Sequence, residues 1–387
     1  MASSDYLVFA GETPESQTLG KKLCSFLGCE LGPSEVVRFK DEESQPRFKE
    51  SVSNKKCIVV NCLHQTATRN SNDSSFVLFQ MCHALHTSQA KEIIVVAPYT
   101  AYARQDKPDD NRSCVTSGLF ANLLKASCGD TPVRYITFDL HAGQLWTVFK
   151  AVGVWMDNLH SEPHMISFIK EVLMEQQNIS SDELMVVAPD GGAAKRAKRF
   201  ANGLDCGYAL MDKTRARANE VASVSLIGNV KGKHCIIADD MCDTGGTICA
   251  ASDKLKEEGA ASVVVMFGHG VFSGPALDRL QTNDSINMVV FTNTCDKSYE
   301  VGEMTTLGDH DNISFQQLKK YPKFFMVDIT WLMSQAVKCR LTQGSVSKLF
   351  ESRCTSEKDM MRHIPKTPDE KKTNATASIF GFSGTFS

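Results

Sequence analysis

KHCIIADDMCDTGGTICAASDKLKEEG, residues 233–259, sets the fold class of the chain. The apolar run Ile236-Ile237-Ala238 predicts a buried strand that stops at two carboxylates, Asp239 and Asp240. A short loop from Met241 to Gly246 follows. Thr247 then stands where a helix N-cap belongs. Ile248, Leu255 and the alanines between them continue at helical spacing to Gly259, a C-terminal stop. Strand, glycine loop and helix together hold phosphate. Glycine lets backbone N–H groups approach an anion, and the helix N-terminus points unpaired donors at it. Two adjacent carboxylates repel phosphate and suit hydroxyl groups or a divalent cation. The stretch therefore asks for phosphate at one end of its ligand and vicinal hydroxyls at the other, as in a sugar phosphate. An ordinary polar βα turn is the bland reading. Paired Asp at a strand end followed by Thr-Gly-Gly-Thr is more specific than that.

The chain has 387 residues, which predicts two domains, and its 42% hydrophobic content can fill both cores. A net charge of −3 with intermixed signs predicts no nucleic-acid surface, so an anionic substrate must meet a local basic cluster. The N-terminus carries no secretory pattern and no apolar run reaches membrane-spanning length, so a cytoplasmic protein is expected. The 14 cysteines are scattered without a Cys-x-x-Cys pair and are expected as reduced, buried thiols.

Strands are predicted at 6–10, 36–39, 57–62, 93–98, 133–139, 184–189, 206–211, 223–227, 262–268, 287–291 and 324–328. Helices are predicted at 15–27, 74–87, 116–126, 162–177 and 329–338. Apolar, β-branched strands alternating with helices argue for an α/β protein with mainly parallel sheets covered on both faces. The strand ends IIVVAP (93–98) and LMVVAP (184–189) hint at two copies of one fold. Residues 295–322 read as an extended polar loop. Residues 351–387, rich in Lys, Glu, Ser and Thr, read as a disordered tail.

Other strand ends carry chemistry. Asp190 precedes Gly191-Gly192, with Lys195 and Arg196 close behind; it can face the crevice of Asp239 and Asp240, or merely cap a helix. Residues 212–220, DKTRARANE, pack Lys213, Arg215 and Arg217 together. They are either a solvated charge run or a basic loop that closes on a polyphosphate. Arg104 can fork two phosphate oxygens. His141 follows Asp139 at a further strand end, as a ligand or as a structural histidine.

Together, YARQD (102–106), FDLHAGQ (138–144), DNLHSEP (157–163), APDGGAAKR (188–196), DKTRARANEV (212–221), DDMCDTGGTI (239–248), HGVFSGPA (269–276) and GSVSKLF (344–350) resemble the ordered motifs of ribose-phosphate diphosphokinases, the PRPP synthetases. The resemblance implies two similar phosphoribosyltransferase-like α/β domains. They are expected at residues 1–157 and 158–340, with a returning segment at 341–350 and the tail beyond. It implies transfer of the diphosphoryl group of ATP, with Mg²⁺, to the 1-hydroxyl of ribose 5-phosphate, giving PRPP and AMP. It also implies a homo-oligomer, dimers assembling to a hexamer, with no nucleic-acid or membrane partner.

Carried over by motif, Asp243, Thr244, Gly245, Gly246 and Thr247 would hold the 5-phosphate, and Asp239 and Asp240 the ribose hydroxyls or their metal. His141 and Asp190 would engage Mg²⁺ or the ATP phosphates. Arg104, Gln105 and Asp106 would contact ATP. Lys213 and Arg215 would be catalytic. Phe39, Asp41 and Glu43 match the adenine loop, although Asp41 stands where the family has an amide. Ser51, Arg112, Asp157, Asn158, Ser345 and Ser347 match an allosteric phosphate or ADP site. Two other readings share parts of this pattern. A phosphoribosyltransferase would need only the 239–247 loop, and a non-catalytic regulatory subunit would carry the fold without the activity.

Overall fold

The computed structural model describes residues 5–108, 110–214, 223–297, 302–310, 313–347 and 349. The first sheet has five parallel strands in the order β1 (Tyr6–Ala10), β4 (Lys56–Val60), β5 (Glu92–Val96), β6 (Val133–Phe138) and β7 (Trp155–Leu159). A separate hairpin pairs β2 (Ser34–Arg38) with β3 (Ser44–Phe48). The second sheet has nine strands. Six parallel ones form its body: β9 (Gly207–Thr214), β8 (Leu184–Ala188), β11 (His234–Cys242), β12 (Ser262–Gly270), β13 (Met288–Thr292) and β16 (Phe324–Asp328). Antiparallel strands extend both sides. β10 (Ser223–Ile227) joins β9, and β15 (Ile313–Leu318) and β14 (Met304–His310) continue beyond β16.

The helices are α1 (Pro14–Leu27), α2 (Ser71–Thr87), α3 (Thr116–Cys128), α4 (Leu145–Ala151), α5 (Glu162–Ile169), α6 (Ala194–Leu204), α7 (Gly246–Glu257), α8 (Ala276–Thr282) and α9 (Thr330–Leu341). Local chemistry sets their ends. α1 starts where Thr13 Oγ1 accepts the Ser16 N–H, with Pro14 in the first position, and stops at Gly28 in the left-handed region.

Strand alternation explains why the strands read as continuous apolar runs. On the first sheet Val8, Ile58, Ile94 and Ile136 face one side, while Phe9, Val59, Val95 and Tyr135 face the other. On the second sheet Val186, Ile236 and Val264 share a core with the first group, while Val187, Ile237 and Val265 belong to a third cluster. One apolar core is thus continuous between the two sheets, and each sheet has its own outer core. Each fully buried aliphatic side chain contributes about 1.5–3 kcal/mol, so the shared core holds the domains together. Polar contacts reinforce it: α1 packs on α9, and Lys22 Nζ lies 2.7 Å from Asp328 Oδ2.

Several expectations need correction. Residues 44–48 pair in the β2–β3 hairpin, and Trp155–Leu159 is a strand, where the sequence had suggested neither. Within 295–322, β14 and β15 form a hairpin, because Phe315 and Leu318 are buried and Phe315 packs edge-on against Phe168 at 5.0 Å. The helix expected over 162–177 changes to a π-helical turn at Lys170–Glu175. The 351–387 tail lies outside the described residues. No helix among the described residues is long and apolar enough to cross a membrane.

Candidate active site

Past β8 the chain turns to β9 on one side, and past β11 it continues to β12 on the other. The crevice off the carboxyl ends of β8 and β11 is therefore a topological switch point, where open α/β sheets take ligands. β8 pairs with β11 only as far as Ile237, whereas β12 continues alongside β11 to Cys242. The strand thus runs through Asp239 and Asp240 instead of stopping before them, and the two carboxylates interact directly. Asp240 is buried and Asp239 half-buried. Burial and the neighbouring Asp240 charge push the Asp239 carboxyl well above its ordinary range. Burial opposes the Asp240 charge too, but hydrogen bonding to His141 and the Arg196 charge hold its pKa below the ordinary value.

The phosphate loop is also one step tighter than expected. Gly245, at φ +75°, is the N-cap and α7 begins at Gly246, so Thr247 is the second helical residue and not the cap. Only a residue without a Cβ takes that turn freely, and Leu280 stands 3.3 Å from where the Cβ would lie. Neighbouring loops hold the turn in place. Phe272 N–H bonds to Cys242 O at 3.0 Å, Ser273 N–H to Asp243 O at 2.9 Å, and Arg279 Nη1 to Thr244 O at 2.5 Å. Gly246 and Thr247 are exposed, leaving the first N–H groups of α7 open to an anion.

The first domain reaches this loop from two strand ends. After β6, the turn Asp139-Leu140-His141 brings His141 Nδ1 to 2.7 Å from Asp240 Oδ2. That hydrogen bond raises the imidazole above its ordinary value. After β5, Arg104 Nη1 donates to Asp243 Oδ2 at 2.5 Å. Burial works against the Asp243 charge, yet bonds from Ser273 and Arg104 keep its pKa lowered. Asp106 Oδ2 accepts from Gln144 at 2.5 Å beside the same cleft, and Gln105 is exposed.

Other expected residues have different surroundings. Asp190 Oδ1 accepts the Ala193 N–H at 3.1 Å, so it does cap the turn into α6. Phe39 is 48% exposed at the tip of the β2–β3 hairpin, and Asp41 Oδ1 accepts the Glu43 N–H at 3.2 Å within that turn. Asp157 pairs with Arg340 Nε at 2.6 Å, and Asn158 Oδ1 accepts the Leu140 N–H at 3.1 Å. Ser51, Arg112, Ser345 and Ser347 are exposed. Lys213 sits in β9 opposite Val224, and Arg215 lies outside the described residues. Sequence reasoning missed Arg279 and Ser273 as supports of the phosphate loop, since their partners are backbone oxygens and loop residues far along the chain.

Among the described residues no group of three or more His, Cys, Asp or Glu side chains is arranged to hold a metal alone. Mg²⁺ is commonly held by one or two carboxylates together with substrate phosphates, and the like-charged Asp239–Asp240 pair is the donor set that such a cation or a diol relieves.

The chain is similar to known proteins over both sheets. The family model of the N-terminal domain of ribose phosphate pyrophosphokinase matches residues 6–128, and that of the phosphoribosyl transferase domain matches residues 156–280. Among solved structures, the chain is similar to a phosphoribosylpyrophosphate synthetase from Mycobacterium smegmatis. Identity is 29% over 88% of this chain and 100% of that one, with a TM-score of 0.73. A purine phosphoribosyltransferase from Pyrococcus horikoshii is 21% identical over 34% of this chain and 80% of its own, with a TM-score of 0.24.

Proposed function

Because the chain belongs to the ribose-phosphate pyrophosphokinase, or PRPP synthetase, family, we propose that it transfers the diphosphoryl group of ATP to the 1-hydroxyl of ribose 5-phosphate. The products are PRPP and AMP. One observation carries this reading: residues assigned to the nucleotide side, Arg104 and His141, touch residues assigned to the sugar side, Asp243 and Asp240, at 2.5 Å and 2.7 Å. Substrates held by those two sets would meet with little further movement of either domain.

The open N–H groups of Gly246 and Thr247, with the Thr244 and Thr247 hydroxyls, hold the 5-phosphate. Asp239 and Asp240 take the vicinal hydroxyls of the ribose and orient its anomeric oxygen. Arg104 and Gln105 hold ATP phosphates, and the Phe39 hairpin supplies a stacking surface for adenine in an oligomer. Lys213 and Arg215 neutralise charge as it develops; a contact of that kind contributes about 3–4 kcal/mol to the transition state. Phosphoryl transfer needs alignment and charge neutralisation more than a strong base, so no general base is invoked. His141, Asp190 and the Asp239–Asp240 pair would hold Mg²⁺, which would supply positive charge against the phosphates.

The test is a pair of assays on the purified chain. ATP, Mg²⁺ and ribose 5-phosphate should yield AMP, while PRPP with a nucleobase should yield no nucleotide. Nucleotide formation in the second assay without AMP in the first would make the chain a phosphoribosyltransferase. Activity in neither would leave the regulatory-subunit reading.

A further inference from the structure

The acid that begins the His141 turn does not face the cleft. Asp139 has φ +36°, in the left-handed region, and its side chain is 2% exposed. Its carboxylate accepts the Ser161 backbone N–H at 3.3 Å to each oxygen, and the Ser161 hydroxyl as well. His160 Nδ1 stands 3.8 Å and Arg196 Nη1 4.0 Å from Oδ1. The second domain closes the pocket from above. A Cβ built on Gly268 of β12 would lie 2.7 Å from Asp139 Oδ2. The next residue, His269, places Nε2 3.2 Å from the Phe138 carbonyl and Nδ1 2.8 Å from Thr294 Oγ1.

This arrangement constrains the turn from every side. A non-glycine residue at positive φ is held there by its surroundings, and a buried carboxylate keeps its place only while its donors remain. A β-strand residue with a side chain at position 268 would push the carboxylate out of its seat. Two residues beyond Asp139, the same turn delivers His141 to Asp240.

We propose that Asp139 and Gly268 are positioning residues: a buried carboxylate of one domain, seated against a bare backbone of the other, aims His141 at Asp240 and so assembles the cleft. The kinetic part of this inference rests on the diphosphotransfer reading; the structural part does not.

Crystal structures of Asp139→Ala and Gly268→Ala are expected to show the His141–Asp240 contact broken in each. Ser161→Ala, a gentler lesion in the same seat, should show it lengthened if Asp139→Ala does not fold. In kinetics, each of the first two variants should lose about tenfold to a hundredfold in kcat. KM for both substrates should change less than about threefold. The double variant should be no worse than the poorer single one, because both changes act through one contact. Ile58→Val, a core change elsewhere, should lower Tm and leave kcat alone. A contact preserved in all three structures, or losses that multiply in the double variant, would overturn the proposal. If the wild-type chain makes no PRPP, the structures alone decide: a broken contact supports the positioning role and an intact one refutes it.

Discussion

Arg104 and Asp243 are joined by a 2.5 Å hydrogen bond between the loop after β5 and the phosphate loop before α7. Their side chains are 48% and 30% exposed, so solvent screens the pair and its worth to folding is small. Its value lies in geometry, since it sets a guanidinium beside the anion site. Arg104→Gln should lower kcat/KM for ATP about tenfold to a hundredfold, the loss typical of one charge-assisted contact. Steady-state kinetics against each substrate checks this. A defect confined to ribose 5-phosphate would mean that Arg104 serves the sugar side alone.

Thr247 lies one residue inside α7, exposed, beside the open helix N-terminus. Thr247→Val keeps the shape and removes the hydroxyl. Affinity for ribose 5-phosphate should fall by about 1 kcal/mol and that for ATP much less, as titration calorimetry can read. The opposite ranking would remove the 5-phosphate from this loop.

Acid should weaken the fold. His164 is buried with neither ring nitrogen hydrogen-bonded, and burial pulls its pKa down to about 4. His64 is buried where Nε2 meets the Asp296 carbonyl at 3.4 Å; burial, with the Lys297 charge, pulls it down to about 3. Both rings are neutral in the folded chain and titrate near 6.5 once unfolded. Their contribution is therefore complete above that value and is lost as pH falls below it. At pH 5 each ring costs about 2 kcal/mol relative to pH 7. His164→Leu should stabilise the chain by about 1 kcal/mol at pH 7, since an unpartnered polar group is removed. It should also flatten the acid loss. Urea unfolding at the two pH values reports both; an unchanged pH slope would contradict the assignment.

Phe315 anchors the β14–β15 hairpin against Phe168. Phe315→Ala should cost about 3 kcal/mol of stability. Hydrogen exchange should show the damage centred on 304–318. A loss below about 1 kcal/mol would mean that the hairpin is a surface addition without a core.

Much of this architecture is legible in the sequence. Ile236-Ile237-Ala238 ahead of two aspartates and a Thr-Gly-Gly-Thr turn carries strand, loop and helix in one line, and the motif order places both domains. What escaped depends on partners distant in the chain. β11 runs past its carboxylates because Met241 pairs with His269. The hairpin at 304–318 hides because strands at the margin of a sheet need few apolar residues; Phe315 and Leu318 are buried on β15. Asp157 was read by motif alone, and its pairing with Arg340 spans 183 residues. The seat of Asp139 depends on Gly268, and no local pattern marks a glycine required by a side chain from the other domain.

The decisive measurement is a ³¹P NMR time course of ATP, Mg²⁺ and ribose 5-phosphate with the purified chain, repeated with Lys213→Ala. The account predicts AMP and a diphosphate ester on the sugar, appearing together, with turnover in the variant down by about a hundredfold or more and its fold intact. ADP with a sugar monophosphate ester at the 1-position, or spectra that never change with wild-type protein, would contradict it.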